Sequence, residues 1–180
     1  MPEITPARAN ILVEETQYRS AVSEALLQKV GGQNNFINER QYDTHAFKLN
    51  GIYSAGQGST GTDGIYIVRY KMEIIAVSGY NITTGASGIS EIDIHYLTSP
   101  GVDAGSIFST KPSFDTTASS NSYFLHDATS DSDIITGTGI TTPILSQKTF
   151  EIGEALRLDL DLAMIGASDM GINIHFRPIN

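Results

Sequence analysis

The chain has no cysteine and no tryptophan, only 11 Lys+Arg against 20 Asp+Glu, and no apolar run near the length of a bilayer. Each absence narrows what the protein can be. Without cysteine there is no disulfide framework, thiolate nucleophile or thiolate metal site, so stability has to come from packing, including packing between subunits. A net charge of −9 with no basic run lacks the clustered positive surface that phosphate contacts need, which argues against nucleic acid as a partner. No segment approaches the ~20 apolar residues that span a bilayer. The start, Met1-Pro2-Glu3-Ile4-Thr5-Pro6, lacks a charged and then apolar leader. These features predict a soluble protein made in the cytosol, with no membrane partner. Lack of tryptophan also weakens a sugar-stacking platform built from Tyr80, Tyr96, Phe108, Phe114, Tyr123 and Phe124, for which core or subunit packing is the plainer use.

What is present is strand periodicity. Leu156, Leu158, Leu160 and Leu162 alternate with Arg157, Asp159, Asp161 and Ala163; Ile172, Ile174 and Phe176 then alternate with Asn173, His175 and Arg177. Successive strand side chains point to opposite faces, so each stretch is a strand with one oily and one wet side. The segment Gly166 to Gly171 between them reads as a hairpin connection. Tyr66, Val68, Tyr70, Met72, Ile74 and Ala76 predict one long strand over 66–76, with Arg69, Lys71 and Glu73 opposite. Ile92, Ile94 and Tyr96 predict another, Phe47, Leu49 and Tyr53 one near 45–53, and Phe150 to Ile152 the start of one more. Connections are expected at Ser54 to Gly64, Gly79 to Ser90, Thr98 to Gly105 and Thr136 to Thr142. With 17 Gly and 6 Pro punctuating short strands, the expected fold class is all-β, a jelly roll or β-sandwich over 39–180.

The N-terminal part differs. Residues 1 to about 15, with Pro2, Pro6 and the run Ile11-Leu12-Val13, read as a short extended arm. From about Gln17 to Val30 the spacing turns helical, with Tyr18, Val22, Leu26 and Val30 on one stripe, Thr16 as N-cap and Gly31-Gly32 as stop. A helix of about four turns is marginal alone in water. Its stripe therefore has to dock, either under its own β domain or on a symmetry mate or larger assembly. Residues 1–38 form the expected arm-and-helix segment, with Ile11, Leu12, Val13, Tyr18, Val22, Leu26 and Val30 as its anchoring side chains.

The search for chemistry finds candidates with plain explanations. No G-x-S-x-G nucleophile elbow is present. Glu91, Asp93 and His95 share one strand face and could converge on a metal, but a solvated face opposite Ile92, Ile94 and Tyr96 explains them as well. Asp159 and Asp161 are paired carboxylates able to do acid/base work if a cleft holds them; without one they are solubilising charges on a sheet surface. The loop His126 to Asp133 is rich in carboxylates yet lacks the spacing and trailing Glu of a calcium loop. Gly56, Gly58, Gly61 and Gly64 precede a strand instead of a helix, unlike a phosphate cradle. The four histidines, His45, His95, His126 and His175, are scattered singly. No catalytic residue, metal ligand or cofactor is expected.

The order of features carries a resemblance. The helix ends in Gly31-Gly32 and leads into Gln33-Asn34-Asn35-Phe36-Ile37-Asn38. Then come Ser106-Ile107-Phe108-Ser109-Thr110-Lys111-Pro112, Thr142-Pro143-Ile144-Leu145, and the closing Gly153 to Leu162 with Ile172 to Pro178. This resembles the small jelly-roll structural proteins of tailed bacteriophages: head-decoration, head-fibre and tail or collar components with an N-terminal attachment segment. The resemblance implies a non-enzymatic virion protein of the decoration, cement or fibre type, whose partners are other capsid or tail proteins and further copies of itself, a trimer being favoured. Ile65, Ile67, Ile75 and Val77 are a candidate oligomer seam, or equally part of an internal second layer. The alternative it implies is a receptor- or carbohydrate-binding module at a fibre tip.

Overall fold

In a computed structural model of the chain, residues 43–52, 59–98 and 100–179 are described, all within the unit Tyr42–Asn180. The arm, the helix and their anchoring residues Ile11 to Val30 lie outside the described residues, as do Gly56 and Gly58.

Eight strands carry the architecture: β1 Asp43–Ile52, β2 Ser59–Ile67, β3 Met72–Thr83, β4 Ile89–Thr98, β7 Ser113–Asp115, β8 Ser122–Asp127, β13 Ala155–Leu162 and β14 Ser168–Pro178. Six short ones decorate them: β5 Val102–Ser106, β6 Phe108–Thr110, β9 Ser132–Ile135, β10 Ile140–Thr141, β11 Ile144–Leu145 and β12 Thr149–Phe150. Among the described residues there is no helix. One sheet runs β1-β14-β3-β8-β9 and the other β10-β7-β4-β13-β2, with every pairing antiparallel. Within the eight, first pairs with last: β1 with β14, β2 with β13, β3 with β8, β4 with β7. That nesting is one long hairpin rolled over on itself, the jelly roll.

The core lies between the two inner faces. Phe47, Leu49, Met72, Ile74, Phe124, Ile172, Ile174 and Phe176 from the first sheet meet Ile92, Ile94, Phe114, Leu156, Leu158 and Leu160 from the second, all buried. Rings bridge the layers: Phe114 to Phe124 at 6.0 Å and Tyr66 to Phe176 at 5.5 Å between centroids. Each such aliphatic or aromatic side chain contributes roughly 1.5–3 kcal/mol when fully buried. Of the leucine series only Leu162 stays exposed, at the strand's end.

Three expectations need correction. The segment after Leu162 is not a hairpin: β13 and β14 pair with different neighbours in opposite sheets. The connection crosses one end of the sandwich, burying Ala163, Met164 and Ala167 and turning at Gly166, whose φ is +76°. Period two reports which side of a strand is oily, and both strands show that side to one core whichever sheet they join. The predicted strand over 66–76 is likewise two strands, β2 and β3, joined by a corner at 68–71. Apolar phase survives the corner because both inner faces look at the same core. A register shift beside His175 then moves the phase, so Val77 is buried and Ala76 is not. Finally, the predicted connections shrink. β2 starts at Ser59, β3 runs on to Thr83, and β5 and β10 occupy parts of the segments read as loop.

Candidate interaction face

The outer face of the second sheet gathers residues that look unremarkable singly. In β4, Asp93, His95 and Leu97 alternate away from the core; in β13, Ala155, Arg157, Asp159 and Asp161 do the same. Register places Asp93 directly opposite Asp159 and His95 opposite Arg157. Two carboxylates facing each other across a ladder repel, and both are buried here. Cations must therefore close over them.

Two cations, Arg157 and Lys111, do so, with the His95 ring beside them. Arg157 holds Asp159 with a two-pronged fork, Nε to Oδ1 at 2.9 Å and a terminal nitrogen to Oδ2 at 2.7 Å, and reaches Asp103 of β5 at 2.8 Å. Lys111, in the link between β6 and β7, pairs with Asp161 and lies 2.9 Å from Asp93 Oδ2. No aligned hydrogen bond reaches that oxygen, so it is held by charge alone. His95 has carboxylates at both ring nitrogens, Asp103 at 2.9 Å from Nδ1 and Asp93 at 3.2 Å from Nε2. Ser106 donates to Asp93 Oδ1 at 2.5 Å.

The electrostatics follow from these contacts. His95, the Gly105 backbone N–H and Arg157 together hold the Asp103 carboxyl down at about 2. The Asp159 fork raises Arg157, against the effect of burial. For Lys111 burial acts to lower the ammonium, but its hydrogen bond to Asp161 and the negative charges of Asp93 and Asp161 outweigh it and the net shift is upward.

The sequence-level candidates Asp93, His95, Asp159 and Asp161 are thus brought together, while Glu91 lies half-buried beyond them. Asp103, Ser106 and Lys111 were missed; the first two sit in the short strand β5 and Lys111 in the link after β6, where there is no periodicity to single them out. Every member is tied to a neighbour. No group of three or more His, Asp or Glu among the described residues is placed to hold a metal ion. Chemically, the arrangement locks strands together and presents fixed charge.

Beside this cluster the same face turns apolar. Ile65 and Ile67 of β2 are 56% and 61% exposed, and Val102 and Ile152 are exposed too. Ile65, Ile67, Leu97, Pro100, Gly101, Gly153 and Ala155 line a groove of about 370 Å³ without a charged residue. A second cleft, about 580 Å³, adjoins it along Asp43, Thr44, His45, Tyr66, Arg69 and Tyr70. Burial, with the nearby Tyr70 and Asp43, pushes Tyr66 up to about 12. Of the four seam candidates, Ile65 and Ile67 are open, Ile75 is half-buried and Val77 belongs to the core.

The remaining candidates disperse. In the 126–133 loop, Asp127 is capped by Thr129 and Ser130, Asp131 pairs with Lys148 at 2.9 Å, and Asp133 faces the buried His126 at 3.3 Å. Phe108, Phe114 and Phe124 are core, and Tyr96 packs on Phe150. Tyr80 covers Gly171, where a Cβ would come within 2.6 Å of the ring, and stands in register with the exposed Tyr123.

No family model and no curated protein matches the chain. Among solved structures it is similar to the capsid of Ralstonia phage GP4, at 7% identity and a TM-score of 0.45, over 78% of this chain and 86% of that one. It is also similar to the SPBc2 prophage-derived protein YomS, at 9% identity and 0.33, over 74% and 94%. A third is infectious bursal disease virus, Gx strain, at 11% and 0.26, over 76% and 41%. Scores below 0.5 do not establish a shared fold.

Proposed function

We propose that the chain is a non-enzymatic structural protein of a phage particle, of the decoration, cement or fibre type. It is made in the host cytoplasm, attaches to capsid or tail proteins through residues 1–38, and self-associates, a trimer being favoured. The observation that carries this reading is the jelly-roll strand order combined with an outer face whose charges are all spent on one another. Jelly rolls serve as shells and as lectins, and fold alone does not choose between such uses. Here the buried carboxylates and imidazole that would do chemistry are engaged in ion pairs, whereas exposed apolar surface lies at an open strand edge. Such surface marks contact with other proteins. The sequence resemblance to phage head and tail components points the same way.

Mechanically, the arm and helix trade conformational freedom for burial of Ile11, Leu12, Val13, Tyr18, Val22, Leu26 and Val30 on the particle. Many weak attachments then add across a symmetric array. Limited proteolysis that removes residues 1–38 is expected to leave a folded core that no longer joins particles; a trimmed core that attaches as the intact chain does would refute the anchoring role. The second reading, a receptor- or carbohydrate-binding module, is favoured by Tyr123, exposed beside Tyr80. Saturable glycan binding lost in Tyr123→Ala would support it.

A further inference from the structure

The apolar groove and the strand beside it have the features of a receptor for an added strand. Among the described residues β2 pairs only with β13, so its other side is an open edge. Val68 spends its backbone groups on the β13 side, donating to Glu154 O at 2.8 Å and accepting from Gly153 N at 2.9 Å. Backbone groups alternate sides along a strand, so Ile65 and Ile67 present theirs to the open edge. Their side chains are also the exposed ones. Open, apolar edges of this kind are templates for a further strand unless blocked by lysine or proline, and 64–67 contains neither.

Charge marks one end of this edge. Arg69 follows β2, lines the adjoining cleft and forms no ion pair among the described residues. In a chain of net charge −9 a guanidinium without a carboxylate partner among the described residues is unusual. A strand that fits therefore offers two apolar side chains and a carboxylate at alternate positions. The chain contains such a segment before Asp43: Ile11, Val13 and Glu15, with Leu12 between.

We propose that the β2 edge receives residues 11–15 of a second copy of this chain, added as a parallel strand. The inference rests on the anchoring role given above to the N-terminal segment and names a surface it grips. Parallel register sets Ile11 beside Ile65, Val13 beside Ile67 and Glu15 beside Arg69; antiparallel addition would strand the carboxylate at the uncharged end. Leu12, on the alternate face, meets the cleft lined by His45, Tyr66 and Tyr70. Main-chain bonds supply affinity and the alternating side chains supply specificity, the logic of β-augmentation. One short strand binds weakly, which suits an array in which each copy both gives and receives.

The absence of cysteine makes the test clean. Full-length chains carrying only Val13→Cys are mixed with differently tagged full-length chains carrying only Ile67→Cys under mild oxidation. Disulfides between the two tags are expected to form about tenfold faster than with Ile134→Cys, an exposed position on β9, as the acceptor. Arg69→Glu in the acceptor is expected to slow the reaction, and Glu15→Lys in the donor to restore it. Equal rates at positions 67 and 134 would overturn the proposal. So would a chain bearing both Val13→Cys and Ile67→Cys that closes only on itself, because the occupant would then be its own arm. Particle attachment of Val13→Lys, measured in parallel, separates the two readings. Lost attachment without cross-linking at Ile67 sinks this proposal alone, while attachment at the unmutated level sinks the anchoring role.

Discussion

The two outward faces of the sandwich solve the same problem in opposite ways. On the second sheet, Asp93 and Asp159 face each other across a ladder and are buried under Lys111, Arg157 and His95. On the first sheet the corresponding middle is neutral. His175 Nδ1 meets Thr44 at 3.0 Å, its Nε2 meets Ser78 at 2.9 Å, and Asn173 donates to Ser78 at 3.2 Å. Burial lowers the His175 pKa, so its uncharged form fills this net. Charge lies away from this middle, as where Arg177 grips Glu73. The lesson is about consequence. A neutral net loses one modest bond when a member is removed, whereas a buried ionic one is left with an uncompensated charge.

That contrast ranks the effects of mutation. Lys111→Ala leaves the fully buried Asp93 facing Asp159 without its ammonium, so denaturant unfolding is expected to show a loss of roughly 3–5 kcal/mol. A loss below about 1 kcal/mol would show that the cluster is well solvated. Ser78→Ala on the neutral face should cost about 1 kcal/mol by the same measurement. A larger penalty would erase the distinction between the faces. Arg177→Ala removes an exposed pair and should cost less than about 1 kcal/mol, the loss shrinking further in high salt.

Acid and mild acid separate the faces as well. Asp103 has its folded pKa depressed from 3.8 to about 2, so its contribution is present above 3.8 and lost as pH falls toward 2. Asp103→Asn should flatten that part of the acid limb. His175 also has a lowered folded pKa; being a base held neutral, it contributes stability above 6.5 that is lost as pH falls through its folded value. His175→Asn should remove the slope just below 6.5 and leave the more acidic limb of Asp103 in place.

Much of the fold was legible because strand faces write themselves into sequence. Leu156, Leu158, Leu160, Ile172, Ile174 and Phe176 are inner-face residues as their period implied. What period two cannot report is which strand lies beside which. That is why 166–171 read as a hairpin although β13 and β14 belong to different sheets, and why β2 and β3 read as one strand. The same blindness hid the ionic cluster. Asp93 and Asp159 do lie on the side away from the core, but that side is not the solvated face expected of them: both are buried, and only the β4–β13 register sets them opposite one another. Lys111 sits in a short link and Asp103 in the five-residue β5, where no repeat singles them out. Ile65 and Ile67 were grouped with Ile75 and Val77 as one seam, and sequence could not separate the exposed pair from the others, since an isoleucine at an open edge and one in a core are spelled alike.

The most direct test of the central claim, adhesion through an N-terminal segment by a folded β domain, is particle binding by a full-length chain with Ile11, Leu12 and Val13 all changed to Ser. The account predicts a native circular dichroism spectrum and unfolding midpoint together with attachment weakened by about tenfold or more, as expected when three buried apolar side chains are lost. Attachment equal to that of the unaltered chain, with the fold intact, would contradict it.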